Sequence, residues 1–123
     1  MRVLNFKDIK HIPQGAVYIG RYNPHYGLPE SKWHNLYKIG GTYILDKGSG
    51  TETVVGPLTR EQSIRLYETR IQALIYNGKL DISELTDATA LVCWCAPLPC
   101  HGDILASLVA EATVTPDIMD KTQ

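Results

Sequence analysis

The chain lacks a cationic excess: lysine and arginine number 12 against 13 aspartate and glutamate, a formal net charge of -1 at pH 7. Non-specific nucleic-acid binding draws its affinity from neutralised phosphates, so a nucleic-acid partner finds no support in the charge. No apolar run is long enough for a membrane helix, and Met1-Arg2-Val3-Leu4-Asn5-Phe6-Lys7 does not have the form of a signal peptide. No membrane partner is expected. Cysteine is scarce, three residues in 123, and all three lie between positions 93 and 100. An odd, local set is not a disulfide framework, which makes a reducing cytoplasm the expected compartment. Internal repeats and low-complexity segments are absent as well. What remains reads as one globular domain over residues 1–123, long enough to bury a core without covalent staples, with a frayed tail from about 114 to 123.

What is present is concentrated in Cys93-Trp94-Cys95-Ala96-Pro97-Leu98-Pro99-Cys100-His101-Gly102-Asp103. Apolar Ala90-Leu91-Val92 precedes it and the periodic run Ile104 to Ala110 follows, which predicts a strand, a proline-stiffened loop and a helix. Strand alternation puts Cys93 and Cys95 on one side and Trp94 on the other. Cys100 and His101 fall at the helix mouth, where unpaired N–H groups and the macrodipole favour negative charge. Three readings fit. Cys93, Cys95, Cys100 and His101 could supply a soft four-ligand site of the kind zinc takes, although C-x-C-x4-C-H is not a standard zinc-ribbon spacing. Cys100 alone could be the working thiolate. Or Cys93 and Cys95 are small core-facing residues.

In chain order, Val3 to Phe6 reads as a short strand, and Ala16-Val17-Tyr18-Ile19-Gly20-Arg21 as a buried strand that delivers Arg21 at its carboxyl end. Tyr22 to Gly40 is a long loop with no element of its own and with aromatic, amide and cationic groups, a mixture suited to a planar or anionic ligand. The alternative is a surface loop pinned to the core by Trp33 and Tyr37. Thr42 to Val55 has the form of a β-hairpin with the glycine-rich turn Asp46 to Gly50. Thr59 and Gln62 form a capping-box pattern before a helix with Ile64, Tyr67, Ile71, Leu74 and Ile75 on one stripe, stopping at Asn77-Gly78. Asp81 to Leu85 predicts one short helical turn.

With these residues in view, the chain resembles a family of small bacterial and phage proteins known as a numbered domain of unknown function (four-three-two-six). Members read strand-Gly-Arg, then Ser-Lys-Trp-Gly-Asn-Pro-Phe, a Thr-Arg-Glu helix with a Tyr, and Cys-x-Cys-x-Pro-x-x-Cys-His-Gly-Asp. The matches here are Gly20-Arg21, Ser31-Lys32-Trp33 with Asn35, Ile39-Gly40, Thr59-Arg60-Glu61 with Tyr67, and the thiol stretch through Asp103. Two departures are His34-Asn35-Leu36-Tyr37 in place of Gly-Asn-Pro-Phe, and the hairpin between Gly41 and Pro57, which looks like an insertion. The resemblance implies that Arg21, Trp33, Asn35 and the cysteine motif meet in one site, and phage membership points toward nucleotide or nucleobase metabolism.

The expected fold is a single small α/β domain, a central mostly parallel sheet flanked by the Thr59 and His101 helices, with an inserted β-hairpin. Parallel neighbours would bring the carboxyl ends of the Val17 and Leu91 strands together, so that Arg21 and the cysteine loop face one crevice. The function expected is an enzyme, a hydrolase or transferase, acting on a nucleotide, nucleobase or other anionic small molecule. Cys100, His101 and Asp103 are its candidate catalytic groups, and Arg21, Ser31, Lys32, Trp33 and Asn35 its candidate substrate contacts. Zinc is the one cofactor such a thiol set would take, supplying activated water if a position stays open. The alternative is a non-enzymatic, zinc-stabilised binding module for protein or nucleic acid.

Overall fold

The computed structural model describes residues 1–46 and 52–113; the expected hairpin turn, from position 47 on, and the expected tail lie outside the described residues. The elements are β1 Arg2–Asn5, α1 Phe6–Ile9, β2 Val17–Tyr18, β3 Tyr43–Asp46, β4 Glu52–Val55, α2 Arg60–Tyr76, β5 Ala90–Cys93 and α3 His101–Thr113. Two 3-10 turns, Pro24–Tyr26 and Ile82–Leu85, complete the order. The result is the expected mixed α/β architecture: a parallel sheet in the order β1-β5-β2, and a separate antiparallel hairpin of β3 and β4.

The centre is β5. All four of its residues are buried, which is why Ala90 to Cys93 reads as a continuous apolar run rather than an alternating one. Its register places Val3 and Val17 on either side of Leu91, and Leu4 and Tyr18 on either side of Val92. Odd and even rows therefore face opposite layers. Leu91 and Cys93 pack into the larger core with Ile19, Trp33, Tyr67, Ile71, Leu85, Leu105 and Val109, contributed largely by α2 and α3. Val92 packs with Phe6 and Leu28 on the other face, where Trp94 closes an aromatic cluster with Phe6 and Tyr26 at ring separations of 5.0 and 5.7 Å.

Local chemistry sets the helix ends. The Thr59 hydroxyl accepts from the Gln62 N–H while the Gln62 side chain accepts from the Thr59 N–H, a complete capping box. The helix closes at Asn77, and Gly78 takes the left-handed conformation (φ 75°) that only glycine adopts freely. The Asp81 carboxylate accepts from the Ser83 N–H and starts the second 3-10 turn.

Three expectations need correction. β2 ends at Tyr18, extended by one further ladder bond from the Ile19 N–H to the Val92 carbonyl, so Gly20-Arg21 lies beyond the strand. β5 likewise ends at Cys93, leaving Cys95 in the loop, because Asn5 Nδ2 captures the carbonyls of Trp94 and Ala96 and turns the chain away from the sheet. The 22–40 segment is not without structure of its own: a bridge between Asn23 and Leu28, a 3-10 turn, and the bonds from Ser31 N–H to the Gly20 carbonyl and from Gly40 N–H to the Leu58 carbonyl hold it down.

The first turn of α3 sits so close to the sheet that a Cβ on Gly102 would lie 2.8 Å from Val3 Cγ1 and 3.0 Å from Ile19 Cδ1. Gly102→Ala should therefore destabilise the fold by roughly 1–3 kcal/mol through overpacking, despite the higher helix propensity of alanine. Urea unfolding of the two proteins checks this; equal or higher stability of the alanine variant would contradict the close approach.

Candidate functional site

Because β2 and β5 run parallel and share a register, the segments that follow them emerge on the same edge. Gly20-Arg21-Tyr22 from one and Trp94-Cys95 from the other line a cleft of about 430 Å³. Its deep wall is Cys93, Cys100 and His101 with Asn35 and Ser63, all buried, and its rim is Arg21, Tyr22, Lys38, Ile39 and Pro99, all exposed. The N-terminus of α2 adds Arg60, whose Nη1 donates to the Pro99 carbonyl at 2.9 Å and fixes the far end of the cysteine loop.

The thiols are unlike one another. Cys93 and Cys100 are free, buried, and in sulfur-to-sulfur hydrogen-bond contact at 3.5 Å. Cys93 Sγ also accepts from the Cys95 N–H at 3.4 Å, and Cys100 Sγ from the Gly102 N–H at 3.3 Å. The Cys100 S–H, donated into Cys93, pulls the Cys93 thiol down to about 6 against the opposing effect of burial, with backbone N–H groups of Cys95 and Ala96 assisting. Cys100 moves the other way for the same reason, since its proton is the one shared. The shared proton thus favours a thiolate at Cys93 over one at Cys100. Cys95 is half-buried on the cleft wall near Arg21.

Cys100 also caps α3. Its sulfur accepts from the second N–H of the helix and the Asp103 carboxylate accepts from the Cys100 N–H at 3.0 Å, so thiol and carboxylate each satisfy a backbone donor at the helix start. Asp103 accordingly serves the helix end and does not line the cleft. His101 is buried, its Nε2–H donates to the Ile19 carbonyl at 2.7 Å, and its ring sits edge-on to Tyr67 at 4.9 Å. Burial drives the imidazole down to about 4, so it is neutral at pH 7 with Nε2 protonated and Nδ1 the basic nitrogen. Arg21 is lowered by burial and held up by the nearby Cys95 and Tyr18; it stays charged. Its loop is clasped by the Tyr18 hydroxyl, which donates to the Arg21 carbonyl at 2.6 Å while accepting from Trp94 Nε1 at 2.9 Å.

Of the residues singled out in the sequence, Arg21, Asn35, Cys93, Cys95, Cys100 and His101 come together. Ser31, Lys32 and Trp33 do not. Trp33 is only 2 % exposed, packed in the main core with its carbonyl accepting from Tyr67, so no ring of a ligand can stack on it. It anchors the long loop. Ser31 supports that anchor through Oγ, which accepts from the Trp33 N–H, and Lys32 pairs with Glu84 at the surface. Asn35 lines the cleft with both polar atoms engaged: Nδ2 donates to Ser63 and Oδ1 accepts from the Tyr37 N–H, while Ser63 donates to the Tyr37 carbonyl. Its work is to present Tyr37. Ser63 escaped the sequence reading, where Tyr37 stands only as a loop anchor and Arg60 only within the family match. Ser63 interrupts the apolar stripe of α2, the signal that could have marked it, and Arg60 stood in plain view at the capped helix start. Among the described residues, no three His, Cys, Asp or Glu side chains are grouped as a metal ion would need.

The family described as a domain of unknown function (DUF4326) matches residues 4–111. No curated protein and no solved structure matches the chain.

The buried imidazole makes a pH prediction. Its folded value, about 4, lies below the ordinary 6.5, so the unfolded chain binds the proton first and stability is lost as pH falls from 6.5 toward 4. By pH 4.5 this group alone should cost about 2–3 kcal/mol. Urea midpoints of the native protein and of His101→Gln at pH 7 and 4.5 test it: the variant should lose less on acidification, and equal slopes would contradict it.

Proposed function

Since the chain belongs to that family, whose description assigns no activity, we propose from the site itself that the protein is an enzyme of the hydrolase or transferase class. Its substrate is a small anionic, ring-bearing molecule of the nucleotide type, and a cysteine thiolate is the reacting group. One observation carries this reading: a guanidinium on one strand end and a low-pKa thiol on the next line a single cleft of about 430 Å³. That volume falls within the usual range for small-molecule sites.

The geometry supports a division of labour. Arg21, with Arg60 across the cleft, takes the negative group, for which a planar guanidinium offers paired donors. Tyr22 and Tyr37 offer aromatic faces to the ring, the part first assigned to Trp33. Cys93 is the nucleophile because its thiolate is the form favoured at neutral pH, and Cys100 holds it by donating its S–H. His101, neutral, with Nδ1 basic and on the same wall, is the group suited to move a proton to or from the substrate. Asp103 acts only through the helix cap.

Calorimetric titration with nucleoside monophosphates tests the binding half. The reduced protein should bind at least one of them, and Arg21→Ala should weaken that binding about ten- to a hundredfold, the scale of a charge-assisted contact, with an unchanged melting temperature. No binding across the set, or full affinity in the variant, would overturn the reading.

A further inference from the structure

The one feature of the cleft that a simple nucleophile does not require is the second buried sulfur. A lone thiolate can be stabilised by a helix N-terminus or a histidine; here the stabilising donor is another thiol, in contact with the first at 3.5 Å. A disulfide needs about 2.0 Å between sulfurs, so the pair lies within ~1.5 Å of bonding distance. The two residues flank a short loop whose ends are both tied, by Asn5 to the Trp94 and Ala96 carbonyls and by Arg60 to the Pro99 carbonyl. The contact is therefore held by the backbone on either side of it. Between them Pro97, Leu98 and Pro99 are exposed. Both sulfur-bearing residues, though buried, line the cleft of about 430 Å³ that opens to solvent.

We propose that Cys93 and Cys100 form a site of reversible oxidation by hydrogen peroxide, becoming an intramolecular disulfide that masks the nucleophile. The disulfide itself stands on the geometry of the pair; its meaning as a mask rests on the function proposed above.

The step balances as follows. The Cys93 thiolate attacks one peroxide oxygen, the O–O bond breaks, and the departing hydroxide takes a proton and leaves as water, giving a sulfenic acid. Cys100 gives up its proton and its sulfur attacks Cys93; the S–O bond breaks and a second hydroxide leaves, protonated, as water. Two thiols have lost two electrons and peroxide has gained them. A dithiol reductant reverses the bond by exchange. Cys95 stays a thiol.

The reduced protein, freed of reductant and exposed to hydrogen peroxide, should lose two hydrogen atoms by intact mass spectrometry and regain them with dithiothreitol. Alkylation followed by peptide mapping without reduction should show Cys93 joined to Cys100 and Cys95 alkylated. In Cys100→Ser the loss should vanish and a dimedone-reactive sulfenic acid should appear at Cys93. Three alkylated cysteines after peroxide, a bridge through Cys95, or the same two-hydrogen loss in Cys100→Ser would each overturn the proposal. Titration of the reduced sample with AMP separates the two readings: absence of nucleotide binding together with a Cys93–Cys100 bridge would remove the proposed substrate and leave the oxidation site standing.

Discussion

Two rungs of parallel pairing, Val17 beside Leu91 and Tyr18 beside Val92, decide where everything chemical in this protein sits. Parallel strands deliver their following segments to the same edge, whereas an antiparallel pairing would have sent Arg21 and the cysteine loop to opposite ends of the sheet. The third strand adds to the same edge: Asn5, at the end of β1, reaches across β5 and holds the loop that carries Cys95. The short strands suffice because β5 is buried on both faces, so each rung is backed by packing on α2 and α3 below and the aromatic cluster above.

Burial then creates the chemistry. A thiolate removed from water is disfavoured unless its lost hydration is replaced, and at Cys93 the replacement consists of one S–H and backbone N–H groups, fixed before any ligand arrives. The same enclosure forces His101 to be neutral, since burial outweighs the Ile19 carbonyl and the Asp103 carboxylate, which both favour the imidazolium. In a thiolate–imidazolium ion pair both partners are charged; here the imidazole is neutral because burial outweighs its hydrogen bond to the Ile19 carbonyl, which favours the charged form.

Much of this was legible in the residues, and for identifiable reasons. The Thr59 to Asn77 helix carries its own start and stop chemistry, so its limits needed no tertiary information. Strand alternation sorted Cys93 from Trp94 onto opposite faces even though the strand ends at Cys93, because Trp94 still turns into the aromatic cluster. Convergence of Arg21 with the thiols followed from strand polarity. What sequence could not supply was which thiol is ionised, because that depends on a 3.5 Å contact across seven residues of chain, and whether Trp33 faces ligand or core. An indole beside a lysine and an amide has the same composition in either role; only the hydroxyl of Tyr67, donating to its carbonyl from α2, settles the matter.

The arginine and the thiol pair constrain each other. A cleft that held a thiolate with no nearby cation would repel an anionic substrate, and a cleft with the cation alone would bind the substrate without attacking it. Arg21 lies on the rim rather than against Cys93, with Cys95 as its nearer thiol, so its charge stays available to a ligand. The donor to Cys93 is a thiol inside the wall rather than a lysine or imidazolium, so the cations lining the cleft among the described residues, Arg21, Arg60 and Lys38, are not committed to that sulfur. On the proposed function, the internal hydrogen bond between the sulfurs leaves the rim cations to the substrate.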